Sequence, residues 1–519
     1  MYTAFERGWR GPDNALDHQV VALLPSELRE REGRRHLGLP ALEAHPEQRL
    51  QYVSFLPWEE AQEVLRPFLR KPDADLRVAA HRALIYAARY HRDRLPELLT
   101  LIRSRQHEQD PVRYAILAGL SDLPPGVWRK GHLEDLGRIV RDALDASDLS
   151  PATAAAAEQS VVAVFPFHSE WSIGWLATLV RERGHISLSG LEHRLTDADV
   201  LRLAPALLPV LEGWMTRVRV PQLVGIAHAL GKRLRVFEGL VELLELVLSD
   251  TRSSTTANQI LSLLREHRPD RLAQVVPSLI REDQSSIVLP EVSEYLHRRR
   301  QDLLTPFLGR EAYRGRFATG RTRYVLPCAS GFHRWTAAQQ EAFAQTLREV
   351  THDSVRDSPA IFRAISQLAA LPDVEPRRLV QLAEVRNTRL ALRDAALRAL
   401  GQLDAGQGVE PLLDALSDDR GRVAIYALRG ALLEMPAERA MELLRGVPME
   451  RVTVAKEVVR LLGELDSEQA YRELLLLDGR ELHRDVRVAL LRAFWGHAER
   501  AETWPSLERA AASPDAAVA

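Results

Sequence analysis

"LRDAALRALGQL" occupies residues 392–403, and its pattern returns three times downstream, as "GRVAIYALRGAL" (421–432), "AKEVVRLLGEL" (455–465) and "DVRVALLRAFWGH" (485–497). The glycines at 401, 430, 463 and 496 step by 29, 33 and 33 residues. Within each copy the apolar residues recur at helical spacing, which marks a helix with one buried stripe. A period of this size is far shorter than a domain. It fits one supersecondary unit, two short antiparallel helices stacked on the next copy. The small residues let neighbouring helices approach closely, and the apolar positions fill the shared core.

The same phrase occurs near the other end of the chain. "DLRVAAHRAL" (75–84) aligns with "PVRYAILAGL" (111–120) at a step of 36, with Arg77 on Arg113, Ala79 on Ala115 and Leu84 on Leu120. These segments resemble HEAT repeats, particularly the short bacterial HEAT-like kind. The resemblance is carried by the Asp-x-x-Val/Arg start and the Ala-x-x-Ala-Leu helix, as in "DVRVALLRAF" and "RDAALRAL". It covers roughly residues 72–123 and 384–512; between about 150 and 350 the helical pattern persists while the signature blurs. It implies an all-α fold, an α-solenoid wound as a right-handed superhelix of about a dozen helix pairs, each of roughly 35 to 40 residues. It implies no activity.

The expected organisation runs from an N-terminal segment, 1–50, partly irregular, to helical repeats over 51–309, clear at 72–123 and divergent at 150–309. An arginine- and aromatic-rich insertion follows at 310–335, then C-terminal repeats at 336–512. "SPDAAVA" (513–519) reads as the start of a further repeat or a frayed tail. Helix starts are marked by Asp110-Pro111, Ser150-Pro151 and Ser358-Pro359, each a capping side chain before a proline suited to the first turn.

Composition narrows the class. Of 519 residues, 46% are hydrophobic and 27% charged, which suits a folded chain and not a disordered one. A net charge of −2 commits the molecule as a whole to neither nucleic acid nor an acidic membrane. A single cysteine excludes an internal disulfide framework and any cysteine-rich metal site. The N-terminal sequence has no signal-peptide pattern, and no apolar run approaches the ~18 residues of a membrane span. The expectation is a cytoplasmic protein. Lysine stands only at positions 71, 130, 232 and 456, so an isolated arginine means less here than usual.

One stretch breaks the helical rhythm: "GREAYRGRFATGRTRYVLPCASGFHRW", residues 309–335. From His297 to Trp335 there are nine arginines and two acids, a local charge of +7 that leaves −9 for the rest. "GRFATGRT" (315–322) has the outline of a phosphate-binding loop, but Arg321 replaces its lysine, and neither a preceding strand nor a following helix is expected. A short β-hairpin over 313–327 suits it better, with strands "RGRF" and "RTRYVL" joined by "ATG" and Gly320 left-handed. Alternation places Arg314 with Arg316 on one face, and Arg321 with Arg323 on another. Thr336 and Gln339 have the spacing of a capping box that starts the next helix. Clustered guanidinium groups beside Tyr313, Phe317 and Tyr324 suit carboxylates, phosphates and flat stacked groups.

Upstream, Lys232, Arg265 and Arg298 are spaced by 33 and 33 within "GKRLR", "LREHRPDR" and "HRRR", the last also supplying Arg299 and Arg300. If the period holds, they form a basic stripe along one edge of the repeats. The competing reading is that each cluster complements the negative end of a helix, with Glu266, Asp270 and Glu282 interleaved.

Catalytic constellations are thin. Cys328 and His333 could form a nucleophile and base, though a lone cysteine after proline is more often inert and partly buried. Histidines 91, 267, 297 and 483 are scattered without metal-ligand spacing. The tryptophans at 58, 171, 175, 214, 335, 495 and 504 are expected to fill repeat interfaces. The resulting expectation is a non-enzymatic scaffold without cofactor or metal. Its binding residues are Arg314, Arg316, Arg321, Arg323, Tyr324, Arg298, Arg299, Arg300, Arg265 and Lys232. Its partner is a protein with an acidic surface, with nucleic acid as the alternative and no membrane.

Overall fold

A computed structural model describes residues 6–11, 13–186, 191–216, 219–352, 358–372, 375–387 and 389–518. Helices joined by short turns make up nearly all of it, as the repeat period requires. The chain divides into two compact units, Met1–Val275 and Val276–Ala519. The expected insertion is therefore part of the second unit and not a body of its own.

In the first unit, helices α1 (Ala74–Ala87), α2 (Asp110–Ser121) and α3 (Pro151–Ala163) pack side by side, α1 on α2 and α2 on α3. The intervening helices Leu95–Arg103 and Leu133–Leu144 contact each other in a second layer. Equivalent helices of successive pairs thus pack in two rows, which defines a helical-repeat fold. The second unit does the same with α4 (Leu390–Leu400), α5 (Gly421–Leu433), α6 (Val452–Glu464) and α7 (Arg484–Trp495), packed in sequence order. The all-α solenoid architecture is as the sequence implies. Residues 1–50 are more regular than expected: His18–Ala22, Ser26–Leu37, Pro40–Glu43 and Pro46–Gln51 are helices, with Leu16, Val21 and Leu24 in a core shared with Tyr52 and Phe55.

The phased glycines act at two of their four positions. A Cβ on Gly401 would stand 2.5 Å from the Ala427 carbonyl oxygen of α5, and one on Gly463 would stand 2.6 Å from the Ala493 Cβ of α7. Side chains there would push the rows apart. Gly430 faces open space, and Gly496 closes α7.

Arginines in the first turn of several repeated helices tie turns together; Arg77, Arg113 and Arg393 are buried and Arg487 is half-buried. Arg77 donates to the Lys71 and Pro72 carbonyls at 2.7 and 2.8 Å and to Glu108 at 2.9 Å. Arg113 repeats this one step later, bonding the Glu108 carbonyl and Asp148. Arg393 reaches Asp419 at 2.8 Å, and Arg487 binds the Asp478 carboxylate at 2.7 Å and the Arg480 carbonyl at 2.9 Å. Arg77, Arg113 and Arg393 each reach an acid of an adjoining turn, whereas Arg487 fastens its own helix to the turn that precedes it.

Two local expectations need correction. Ser150 caps its helix as expected, its Oγ accepting from the Thr153 amide at 3.1 Å. Asp110 does not cap its own helix; it lies inside the first turn and accepts from the Ser150 amide of the next pair at 3.0 Å. The Ser358 side chain lies outside those described. Among the tryptophans, Trp58, Trp214 and Trp335 are buried and Trp171 and Trp175 half-buried, but Trp495 is 68% and Trp504 45% exposed.

Candidate functional site

The arginine-rich insertion has a buried root and an exposed tip. At the root, His297 Nε2–H donates to the Ser330 carbonyl at 2.7 Å while Nδ1 accepts from the Trp335 indole at 3.0 Å. This pair of bonds fixes a neutral tautomer, and burial holds the imidazole below its ordinary pKa. Phe332, Trp335 and Phe343 pack edge to face around it. From the other side, the Gln367 amide donates to the Leu326 and Cys328 carbonyls at 2.7 and 2.8 Å. Thr336 and Gln339 form the expected reciprocal cap, 3.0 and 3.3 Å, and Gln339 also reaches the Gln301 carbonyl at 2.8 Å.

The tip is hairpin-like, with a register different from the expected one. Two isolated antiparallel bridges, Glu311 with Tyr324 and Arg314 with Thr319, replace regular strands. The turn falls at 315–318, closed by the Gly315 amide on the Ala318 carbonyl at 2.9 Å, so "RGRF" is turn and not strand. Gly320 is left-handed as expected, at φ 77°. Tertiary bonds override the alternation: Asp283 accepts from the Arg316 amide at 2.9 Å and its Nε at 3.3 Å, and Ser285 Oγ accepts from the Phe317 amide at 3.0 Å. Burial alone would raise the Asp283 pKa, but hydrogen bonds from Ser285 and Arg316 hold it below the carboxylate range. A Cβ on Gly315 would stand 2.1 Å from Asp283 Oδ1, so this approach requires glycine.

These contacts sort the candidate residues. Arg316 anchors the turn. Tyr324 is half-buried at the root, its ring 6.3 Å from Tyr313, with burial pushing both phenols up to about 12. It is a packing residue and not an open stacking platform. Arg314, Arg321 and Arg323 are exposed at the tip, and among the described residues no carboxylate pairs with Arg314 or Arg321. In the preceding "HRRR" run, Arg298 pairs with Glu294 and Arg300 holds Asp302 through two bonds of 2.8 and 2.7 Å; Arg299 is exposed.

In the upstream clusters Arg233, Arg235 and Arg268 are paired with carboxylates. The Lys232 amide donates to Glu192 at 3.0 Å, and Arg233 and Arg235 share Asp197 at 2.8 and 2.5 Å. Arg265 bonds Ser262 at 3.2 Å, while Arg268 bridges Asp270 and Glu238 at 2.8 and 2.6 Å. Lys232 and Arg265 belong to the first unit and Arg298 to the second.

Cys328 is buried, and burial pushes its thiol up to about 12, so it stays protonated at neutral pH and is no nucleophile; His333 is exposed. Among the described residues no group of acids, histidines and cysteine is placed to hold a metal ion, and no helix is long and apolar enough to cross a membrane.

Sequence reasoning missed a second set of cations. Arg398 of α4 and Arg422 of α5 are exposed, lack an ion-pair partner among the described residues, and line one groove of about 540 Å³ with Tyr426, itself 52% exposed. The signal was available, since Arg398 lies one helical turn before Gly401 and Arg422 two turns before Gly430.

No protein-family model matches the chain, and no curated protein matches it. Among solved structures it is similar to a chain in the crystal structure of a Kap121p mutant, at 14% identity and a TM-score of 0.41, over 96% of this chain and 52% of that one. It is also similar to a chain of a homology model of the full-length AP-3 complex in an intermediate open conformation, at 11% identity and 0.32, over 96% and 91%. The chain thus spans about half the length of the Kap121p chain. At these scores the fold rests on the helix contacts above, and the likeness carries no argument about function.

Proposed function

We propose that this chain is a non-enzymatic scaffold of HEAT-like repeats that binds another protein, and that the insertion tip contacts an acidic surface of that partner. The reading is supported by one contrast. Arg77 and Arg393 at the starts of repeated helices are held by acids of adjoining turns, whereas Arg314 and Arg321 stand exposed beside a turn pinned by Arg316, without a described carboxylate partner. A pinned turn presents such groups with little ordering cost on binding. Arg323 and Arg299 flank the same contact in this reading, and stacked repeats supply the extended area from which affinity accumulates.

The test is a pull-down from a lysate, with the wild type and the Arg314→Glu/Arg321→Glu variant as baits. A protein retained by the wild type and lost from the variant, with nuclease treatment making no difference, supports the reading. Retention by both baits defeats the tip assignment. Loss on nuclease treatment transfers the site to nucleic acid, for which a steep salt dependence is the independent sign.

A further inference from the structure

The groove between α4 and α5 is built for an anion, and nothing in the insertion accounts for it. Its floor is Gly401, where the two helices approach within van der Waals contact of the Ala427 backbone, and its rim includes the exposed Gly430, where a Cβ would meet nothing within 4 Å. At Gly430, though not at Gly401, backbone is thereby laid bare for close approach by an extended chain. Arg398, Gln402, Arg422 and Tyr426 complete the lining. Several other arginines of these repeats are occupied: Arg393 by Asp419, Arg420 by Asp418, Arg429 by Glu464, and Arg451 by the Ser417 and Asp418 carbonyls. Two unpaired guanidinium groups around an exposed phenol ring offer forked donors for a carboxylate and a face for a peptide plane.

We propose that this groove is a docking site for an acidic segment of a partner protein, bound in extended form with a carboxylate between Arg398 and Arg422 and its backbone against Tyr426 and Gly430. A peptide is favoured over a nucleic acid by the neighbouring surface of the same repeats. Asp404, Glu410 and Glu434 line an adjacent groove of about 790 Å³ together with Leu413, Met435 and Leu443. A continuous phosphate backbone crossing this surface would run into those acids, whereas a peptide carries its charge at one or two side chains and can place apolar or basic residues next to it. The row continues on the following helices: Lys456 of α6 and Arg492 of α7 have no ion-pair partner among the described residues, while Arg460 is held by the buried Glu457. A longer acidic segment would therefore meet further cations at the repeat spacing.

The experiment uses the full chain in the Arg314→Glu/Arg321→Glu background, so that a result at the groove is independent of the tip. A fluorescein-labelled Glu-rich peptide carrying a photo-crosslinker, its Gln-for-Glu counterpart and a labelled single-stranded DNA are titrated by anisotropy, and crosslinks are mapped by mass spectrometry. The proposal expects the Glu peptide to bind and the Gln peptide not to, with crosslinks in 398–430. It expects Arg398→Glu/Arg422→Glu to weaken binding by about tenfold or more and Tyr426→Ala by a smaller factor. Circular dichroism and melting of these variants should match the parent, because the side chains are exposed. Failure of the Glu peptide to bind, equal binding of the Gln peptide, tighter binding of the DNA, or crosslinks elsewhere would each overturn it.

Discussion

Arg77 and Arg321 carry the same side chain and hold opposite positions. Arg77 is 8% exposed, with its donors spent on Lys71, Pro72 and Glu108. Arg321 is exposed on the insertion tip with no described carboxylate in reach. In a chain with four lysines, the presence of an arginine says little about binding. Its phase within the repeat says more. Arg77, Arg113 and Arg393 near the start of repeated helices tie adjoining turns together, whereas Arg398, Arg422 and the tip cations Arg314 and Arg321 are exposed without an ion-pair partner among the described residues.

The comparison is broken most directly by removing a clamp. Arg77→Leu leaves Glu108 half of a pair whose side chains are 10% and 9% exposed, and frees the Lys71 and Pro72 carbonyls. Orphaning a buried charge costs on the order of 3 kcal/mol. Urea unfolding should show a loss of that size, with the N-terminal repeats melting first. Arg113→Leu should cost less, because its partner Asp148 is 57% exposed and stays solvated. If either variant unfolds like the wild type, the buried arginines are not what joins the repeats.

The root of the insertion should come next. Gln367→Leu removes both donors from the Leu326 and Cys328 carbonyls, and leaving such groups unpaired costs about 1–3 kcal/mol. The root should loosen while the repeats beyond it keep their helicity, as read by hydrogen exchange of 324–335. A global loss of helix would show instead that the root is part of the repeat core.

Acid acts on both units through buried histidines, with a smaller effect. His81 is fully buried, neither ring nitrogen has a hydrogen-bond partner among the described residues, and burial with the nearby Arg105 and Arg77 lowers its pKa from 6.5 to about 4. His297 is lowered in the same direction by burial. Because the folded state keeps them neutral, the unfolded chain binds protons first as the pH falls below 6.5. Stability is full above that value and declines toward pH 4. His81→Leu should flatten part of this decline in urea midpoints measured across the range. An unchanged slope would mean that His81 does not carry it.

Most of the fold was legible because repetition is a property of sequence. The aligned Arg77 and Arg113, the phased glycines and the Thr336–Gln339 box each set a local structure that the coordinates contain. The insertion was located by its charge, but its register was not, because Asp283 and Ser285 decide it from 32 or 33 residues away. Alternation within 313–327 contains no record of those two side chains. The tip cations and the basic clusters also looked alike in sequence. What separates them is whether an acid from another turn reaches the guanidinium, and Asp197 pairing with Arg233 across 36 residues is invisible to local charge counting. Arg398 and Arg422 were passed over for the opposite reason: they sit in ordinary helical segments and stand out only through the groove they line together with Tyr426.

The smallest effect expected is also the one that most sharpens the contrast. Arg314→Glu/Arg321→Glu exchanges two exposed cations for anions on a turn whose fixed points are Arg316, Gly315 and Phe317. None of the described bonds that hold the turn uses the two replaced side chains. The melting temperature and the helical circular-dichroism signal should therefore be unchanged within error, in contrast to Arg77→Leu. Amides of 319–323 should exchange quickly in both proteins, since that stretch is exposed, while the Arg316 and Phe317 amides stay slow because Asp283 and Ser285 hold them. If charge reversal lowered the melting temperature as Arg77→Leu does, Arg314 and Arg321 would be structural like the clamps, and the distinction between closing arginines and binding arginines would fail at the place where it is drawn most sharply.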